Sequence, residues 1–372
     1  MIYLILGVCM NNIIEEVLKK IIESGYEAYV VGGYVRDLLF GNLSNDIDIC
    51  TNATIKELLN IFNGKVNDYG SLNLKINDYN IDITTFREES SYENRRPTKI
   101  NYINDLKKDL ERRDFTINTI CMDKDGAIID YLGGEKDLKK KLIRTIREPI
   151  KVLEEDYLRI LRAIRFATIL DFDIETKLEA SIMKKSSLVK NLSLYRIKDE
   201  ISKILLSENY QKGLDLLKKY RIDEFLNLSY KHLVYTKDLC GMWAQIDFSS
   251  DFPFTKNEKN TIFKLREILD IGFINSEVIY KYGLYLSLIA GEILGIDVDL
   301  IYEINNELPI FKRQDLNITY MQIGEILGIK PSKIVKEVEE SLIKEVLNKR
   351  VNNTYEELKK YIIFNKERWL KC

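Results

Sequence analysis

Two aspartates one residue apart, Asp46 and Asp48, stand in the run AYVVGGYVRDLLFGNLSNDIDIC. On a β-strand, residues at i and i+2 point to the same face, so the pair offers two carboxylates side by side to one divalent cation. Hard cations such as Mg²⁺ take oxygen ligands and share them with substrate phosphates. Upstream, a β-type run from Ala28 to Val31 ends at Gly32-Gly33 and leads into a helix-like segment, Val35 to Phe40. A glycine turn feeding a helix N-terminus points backbone N–H groups at anions such as phosphate. Singly, an Asp-x-Asp pair is also an ordinary solvated strand edge, and Gly-Gly an ordinary turn. Their order and tight spacing together read as nucleotide chemistry.

Three later segments extend this reading. Tyr79 to Arg87, YNIDITTFR, alternates like a half-buried strand, with Ile81, Ile83 and Thr85 facing one way and Asp82, Thr84 and Phe86 the other. Asp82 is then an outward polar residue or, if this strand lies beside the Asp46/Asp48 strand, a third acid. At LERRDFTINTICMD, Arg112 and Arg113 precede Asp114, Thr116 and Asn118. An ion-paired helix start accounts for this locally, yet arginine is also the usual planar fork for phosphate oxygens. From Lys151 to Leu170 the period is helical, with Leu158, Leu161 and Ile164 on the apolar side. Asp156, Arg159, Arg162 and Arg165 fall three apart, as neighbours on one face. A solvated amphipathic helix is the ordinary account. An acid followed by three guanidiniums also suits a triphosphate or base edges.

VVGGYVRDLLFG with DIDI, then DITTFR, RRDFTINT, IDYLGGEKDLKKKLIRTI and EEDYLRILRAIRF occur in this order. Over about residues 26 to 170 the chain resembles the class II CCA-adding enzyme and bacterial poly(A) polymerase family, within the polymerase-beta-like nucleotidyltransferases. The resemblance implies an α/β nucleotidyltransferase head followed by an all-α neck, body and tail. It implies addition of CMP and AMP, from CTP and ATP, to the 3′ end of tRNA, with Mg²⁺. Asp46 and Asp48 match the metal-binding pair, and Asp82 the place of a third acid. Gly33 and Arg36 match nucleotide contacts of the GGxVRD motif. Arg113 and Asp114 fall on the RRD motif, with Asn118 nearby. YLGGEKDL matches a hinge between head and neck. Asp156 and Arg159 match the base-reading pair, and Arg162 and Arg165 further nucleotide contacts. The segment Arg87 to Ile103 resembles the flexible loop used by full CCA-adding members when switching from C to A, slightly shortened between Tyr92 and Arg95. A poly(A) polymerase, a split CC-adding or A-adding enzyme, and an inactive RNA-binding scaffold are the alternatives.

The base-reading assignment has its own physical reason. A carboxylate only accepts hydrogen bonds and a guanidinium only donates them. Together they mimic a complementary base edge for cytosine and adenine, which carry an exocyclic amine beside an acceptor; uracil and guanine reverse that pattern.

The elements that must position these residues follow from composition and period. At 372 residues the chain is long for one core. We expect an N-terminal segment and helix (1–25), a head (26–146), a neck (147–210) and a helical body and tail that bind tRNA (211–372). Helical runs are expected at Arg196 to Leu206, Tyr210 to Tyr220, Asn257 to Leu269, Ser276 to Leu294 and Thr354 to Phe364. Net charge is −2 and the pI about 5.9, which excludes a broadly basic nucleic-acid sponge. Basic clusters occur at Lys136 to Arg147, Lys184-Lys185, Lys218 to Arg221 and Lys349-Arg350, each a solvated face or a phosphate contact. Five scattered cysteines without C-x-x-C predict neither a zinc site nor a disulfide framework. They fit a reducing cytoplasm. His232 is the only histidine, which excludes an appended His/Asp metal phosphohydrolase module; it is expected on a helix. MIYLILGVC is too short to span a bilayer and lacks a signal-type basic region, so no membrane partner is expected. It is either a short strand or lies upstream of a start at Met10, ahead of an amphipathic helix.

Overall fold

The computed structural model describes residues 12–42, 44–67, 70–93 and 96–370, with the backbone alone at 91–93 and 96–98. The MIYLILGVC segment lies outside the described residues. The chain divides into two compact units, Met1–Asn227 and Leu228–Cys372.

The first unit opens with the expected amphipathic helix, α1 (Asn12–Glu23), which buries Ile14, Val17, Leu18 and Ile21 at three- and four-residue spacing. Strands β1 (Ala28–Val31), β2 (Asp46–Thr51), β3 (Lys65–Val66), β4 (Ser71–Ile76), β5 (Tyr79–Thr85), β8 (Cys121–Met122) and β9 (Ile128–Ile129) form one mixed sheet. Its order is β3-β4-β5-β2-β1-β8-β9. Between β1 and β2 runs α2 (Gly33–Leu39), which starts two residues earlier than the sequence period indicates. Between β2 and β3 runs α3 (Ile55–Ile61), capped by a reciprocal Thr54–Glu57 box. A separate hairpin, β6 (Arg87–Glu93) with β7 (Arg96–Tyr102), follows β5.

Alternation decides which face carries the acids. In β2, Ile47 and Ile49 are buried while Asp46 and Asp48 open to solvent. Cys50 continues the acidic face, yet it is fully buried with Phe86, Leu106, Leu110 and Cys121. Helix α4 (Leu106–Glu111) contributes two of those residues, so it closes one end of this face and leaves the acids at the other. Phe86, expected on the side of Asp82, is fully buried in that same cluster.

Gly32 links β1 to α2 with φ 82° and ψ −132°, a region open essentially to glycine alone. Its N–H donates to the Ile120 carbonyl at 3.2 Å, tying the turn to the strand on the other side of β1. Gly32→Ala is expected to cost about 1–3 kcal/mol through backbone strain. A lowered thermal midpoint with unchanged circular dichroism would register it.

The run expected as one helix over Lys151–Leu170 is two: α6 (Pro149–Glu155) and α7 (Leu158–Ile169). Asp156 takes an extended backbone (φ −149°, ψ 108°) at the end of α6. Its Oδ1 accepts the Leu158 N–H at 3.0 Å and so restarts the helix. Short parallel strands β10 (Leu142–Ile143) and β11 (Asp173–Ile174) flank this pair in sequence. Before β10, α5 (Gly134–Lys139) starts where the Asp130 carboxylate accepts the N–H groups of Leu132, Gly133, Gly134 and Glu135. Helices α8 (Thr176–Lys185), α9 (Leu194–Leu205), α10 (Tyr210–Lys219) and α11 (Ile222–Leu226) complete the unit.

The described part of the second unit is helical. The run expected over Ser276–Leu294 breaks at Gly283, φ +85°, into Ser276–Tyr282 and Leu284–Leu294. The last helix extends to Leu370. His232 does not lie on a helix; it is exposed in an irregular segment ahead of Leu239–Ala244. Among the described residues, no helix is long and apolar enough to cross a membrane.

Candidate active site

Strands β2 and β5 run parallel and in register, with Asp48 opposite Asp82 and Asp46 opposite Asn80. Opposed residues on adjacent strands share a face, so Asp82 joins the acid pair. Asp46 Oδ1 accepts from Asn80 Nδ2 at 3.0 Å. Asp82 Oδ1 accepts from Asn73 Nδ2 at 3.2 Å, reaching across to β4. The Asp48 carboxyl is pushed above the usual carboxylate range. Surrounding protein raises it most, Arg113 opposes, and Asp82 and Asp46 add to the rise. That mutual repulsion marks a cluster of acids whose charge is not fully met by the protein.

Beside the acids lies a pocket of about 410 Å³. Gly32, Gly33, Arg36, Asp48, Arg113, Asp114, Asn118, Asp156, Arg159 and Arg162 are among its lining residues. A methyl group built on Gly32 would sit 3.6 Å from Asp48 Oδ2 and 3.7 Å from Arg113 Nη1, so acid and arginine meet over that glycine. The inner wall is a continuous relay. Asp37 grips Arg36 through two bonds of 2.8 and 3.0 Å. Arg36 Nη1 donates to Asn118 Oδ1 at 2.8 Å, and Asn118 Nδ2 to Asp114 Oδ1 at 3.0 Å. Arg162 Nε donates to Asp114 Oδ2 at 2.7 Å. The Phe166 ring lies within 5.1, 5.2 and 4.3 Å of the guanidinium carbons of Arg36, Arg162 and Arg165. An aromatic face attracts cations, so it holds together three arginines that would otherwise repel.

Two further residues stand differently from the rest. Arg165 is not among the pocket's lining residues; it pairs with buried Glu200 at 3.2 Å. Burial raises Glu200 and lowers Arg165 despite their attraction. Arg159 lines the pocket but is already engaged. Its Nη1 donates to the Val152 carbonyl at 3.0 Å and to Glu155 Oε2 at 2.9 Å, and its Nη2 to the Arg112 carbonyl at 2.9 Å. Glu155 also takes Arg147 through two bonds of 2.9 Å. Glu155 precedes Arg159 by four residues, the spacing that makes helical neighbours, and this signal could have singled it out. Glu89 and Phe166 also line the pocket without having been singled out. Phe166 follows Arg162 by four residues on α7, a helical spacing that could have found it, whereas Arg36 reaches it from a separate element.

The Asp114 carboxyl is held at about 2. Burial pushes it up, but Arg162, the Asn118 hydrogen bond and Arg159 outweigh that. An unfolded aspartate titrates near 3.9, so the stabilisation is complete above that value and is lost as pH falls through about 2. Wild type is expected to lose about 2 kcal/mol relative to Asp114→Asn between about pH 5 and pH 2. Urea midpoints measured across that window check it.

The basic clusters elsewhere are largely ion-paired: Arg144 with Asp137, Lys185 with Glu154, Arg221 with Glu224, Lys349 with Glu307 and Arg350 with Glu345. Lys219 also pairs with Glu179.

Residues 28–144 match the poly A polymerase head domain, and residues 171–230 match the probable RNA and SrmB-binding site of polymerase A. With an acid strand beside an arginine-walled pocket, this head defines a nucleotidyltransferase. The CCA-adding enzyme of Ligilactobacillus salivarius is 32% identical over 91% of this chain and 93% of its own length. That of Lactococcus lactis subsp. lactis is 32% identical over 93% and 96%. The chain belongs to the CCA-adding enzyme family. Its fold is similar to that of the Bacillus stearothermophilus CCA-adding enzyme in complex with CTP, with a TM-score of 0.84 at 24% identity, covering 96% of this chain and 98% of that one. It is also similar to the Thermotoga maritima CCA-adding enzyme complexed with tRNA, with a TM-score of 0.67 at 23% identity, covering 95% of each chain. Nucleotidyltransferases of this polymerase class depend in general on a divalent metal.

Proposed function

We propose that this chain adds CMP and AMP, from CTP and ATP, to the 3′ end of tRNA without a nucleic-acid template, in the cytoplasm. The observation that carries the reading is the shared face of Asp46, Asp48 and Asp82, of which Asp48 lines the arginine-walled pocket. Asp46 and Asp48 are the residues that would hold Mg²⁺. Among the described residues, no three His, Cys, Asp or Glu groups stand close enough to hold an ion by themselves. Two carboxylates completed by substrate oxygens fit Mg²⁺, which is seldom caged by protein alone. When bound, the ion would activate the terminal ribose hydroxyl and steady the leaving pyrophosphate.

This chain's own residues do the rest. Asp82, fixed by Asn73, orients the attacking hydroxyl toward the acid face. Gly33, Arg36, Arg113, Asp114, Asn118 and Arg162 receive the ribose and triphosphate, and Arg165 backs Arg162 through the shared Phe166 ring. Asp156 and Arg159 choose the base. The bonds Arg159 makes here use three of its five N–H groups, which leaves donors for a base edge. Glu155 fixes the plane of that guanidinium. The division into head (26–146), neck (147–210), and body and tail (211–372) accompanies this reading, the last part meeting the tRNA acceptor end together with residues 171–230. Metal binding without histidine suits the absence of that residue from the head.

The test is product length. The protein is incubated with Mg²⁺, labelled CTP or ATP, and tRNAs ending before the first C, before the second C and before A. Stepwise extension to a full CCA end, and no further, is expected. Arrest after CC, or extension only before A, reassigns it to a split activity. Long A tails reassign it to poly(A) synthesis, and no extension refutes an active head.

A further inference from the structure

Asp109 is a fully buried carboxylate that none of the steps above uses. It lies on α4, and three parts of the head meet on it. Its Oδ1 accepts the backbone N–H of Arg87, the first residue of the β6–β7 hairpin, at 3.1 Å, and Arg112 Nε at 2.9 Å. Its Oδ2 has no hydrogen-bond partner and faces Arg113 Nη2 at 3.5 Å. The Arg113 Nε–H, also buried, has none either. The hairpin reaches the same group a second way. Glu89 on β6 takes Arg87 Nε at 2.7 Å and lies 3.5 Å from Arg112 Nη1. Arg87, Glu89, Arg112 and Arg113 all line the pocket, whereas Asp109 sits behind them.

A buried carboxylate is tolerable only while its charge is met. Here two pocket arginines and one hairpin amide meet it, and little else does. A ligand that draws Arg112 or Arg113 into the pocket takes a cation from Asp109 and changes its hold on the Arg87 amide. A shift of the hairpin root acts back on the arginines through the same anion, because such coupling is reciprocal.

We propose that Asp109 is a positioning residue that couples the root of the β6–β7 hairpin to Arg112 and Arg113, so that nucleotide bound at the arginines is felt in the hairpin. The proposal rests on the nucleotide reading of the pocket.

Amide hydrogen exchange of peptides covering residues 87–102, with and without CTP, tests it alongside CTP affinity by calorimetry. The variant is Asp109→Asn, which keeps an oxygen for the Arg87 N–H and loses the charge facing the guanidiniums. In wild type, CTP is expected to slow hairpin exchange at least about fivefold, the lower end of typical coupling. In Asp109→Asn that response should disappear while CTP affinity weakens about tenfold. A merely structural role would lower the thermal midpoint and leave the CTP response of the folded protein intact, which would overturn the proposal. If the variant does not fold, wild type decides alone: CTP binding that leaves hairpin exchange unchanged overturns it. A wild type that binds no CTP contradicts the nucleotide reading itself, a result distinct from binding without hairpin protection.

Discussion

Asp48→Ala is expected to abolish nucleotide incorporation, by about 10³-fold or more, while tRNA affinity stays within about twofold of wild type. Loss of a metal-holding carboxylate removes several kcal/mol of charge stabilisation at the reacting phosphoryl group, and each 1.4 kcal/mol is about tenfold in rate. The same substitution should not destabilise the fold. Asp48 opens to solvent, and its carboxyl is pushed up by surrounding protein and by Asp82 and Asp46, against the pull of Arg113 and Arg162. Removing it relieves that repulsion, so the thermal midpoint should hold or rise, as when strain kept for function is released. Single-turnover incorporation, filter binding and thermal denaturation read the three parts separately. Normal turnover in Asp48→Ala removes the metal assignment; lost turnover with a collapsed midpoint means the residue is structural.

Arg159→Ala is expected to relax base choice before it ends chemistry. A well-placed bidentate contact discriminates by about 1–3 kcal/mol, so the CTP-to-UTP ratio of kcat/KM should fall roughly 10- to 100-fold. The variant also loses hydrogen bonds to Glu155 and to the Val152 and Arg112 carbonyls, which ties α7 less firmly to α6 and to the end of α4. That loss should lower incorporation of every nucleotide alike. The ratio between nucleotides separates the two effects, because a packing defect moves both rates and leaves their quotient. An unchanged quotient refutes the template role of Asp156 and Arg159.

The parts of this site governed by a local period were legible in the sequence. Alternation alone put Asp46 and Asp48 on one face, and the pairing of β2 with β5 then brought Asp82 to them. The neck was read as one helix because no glycine or proline interrupts it at Asp156. The interruption comes from a side-chain oxygen that satisfies a backbone N–H, a signal usual for aspartate but easily hidden inside a helical period. At Gly283 the opposite happened: a breaker was present but was absorbed into a run that otherwise kept its apolar period. Glu200 was out of reach for a different reason: its partner Arg165 stands 35 residues away on another element, and no spacing along the chain announces it. Asp109 with Arg112 and Arg113, and Phe166 with Arg162, do fall three or four apart, but the Arg87 amide and Arg36 that complete their surroundings come from other elements.

The most direct measurement is a crystal structure of the protein grown with Mn²⁺ and a non-hydrolysable CTP analogue. Anomalous density about 2.1 Å from carboxylate oxygens of both Asp46 and Asp48, with the triphosphate against Arg113 and the base edge at Asp156 and Arg159, is the predicted result. Metal density that touches neither aspartate, or a nucleotide bound away from the arginine wall, would contradict it.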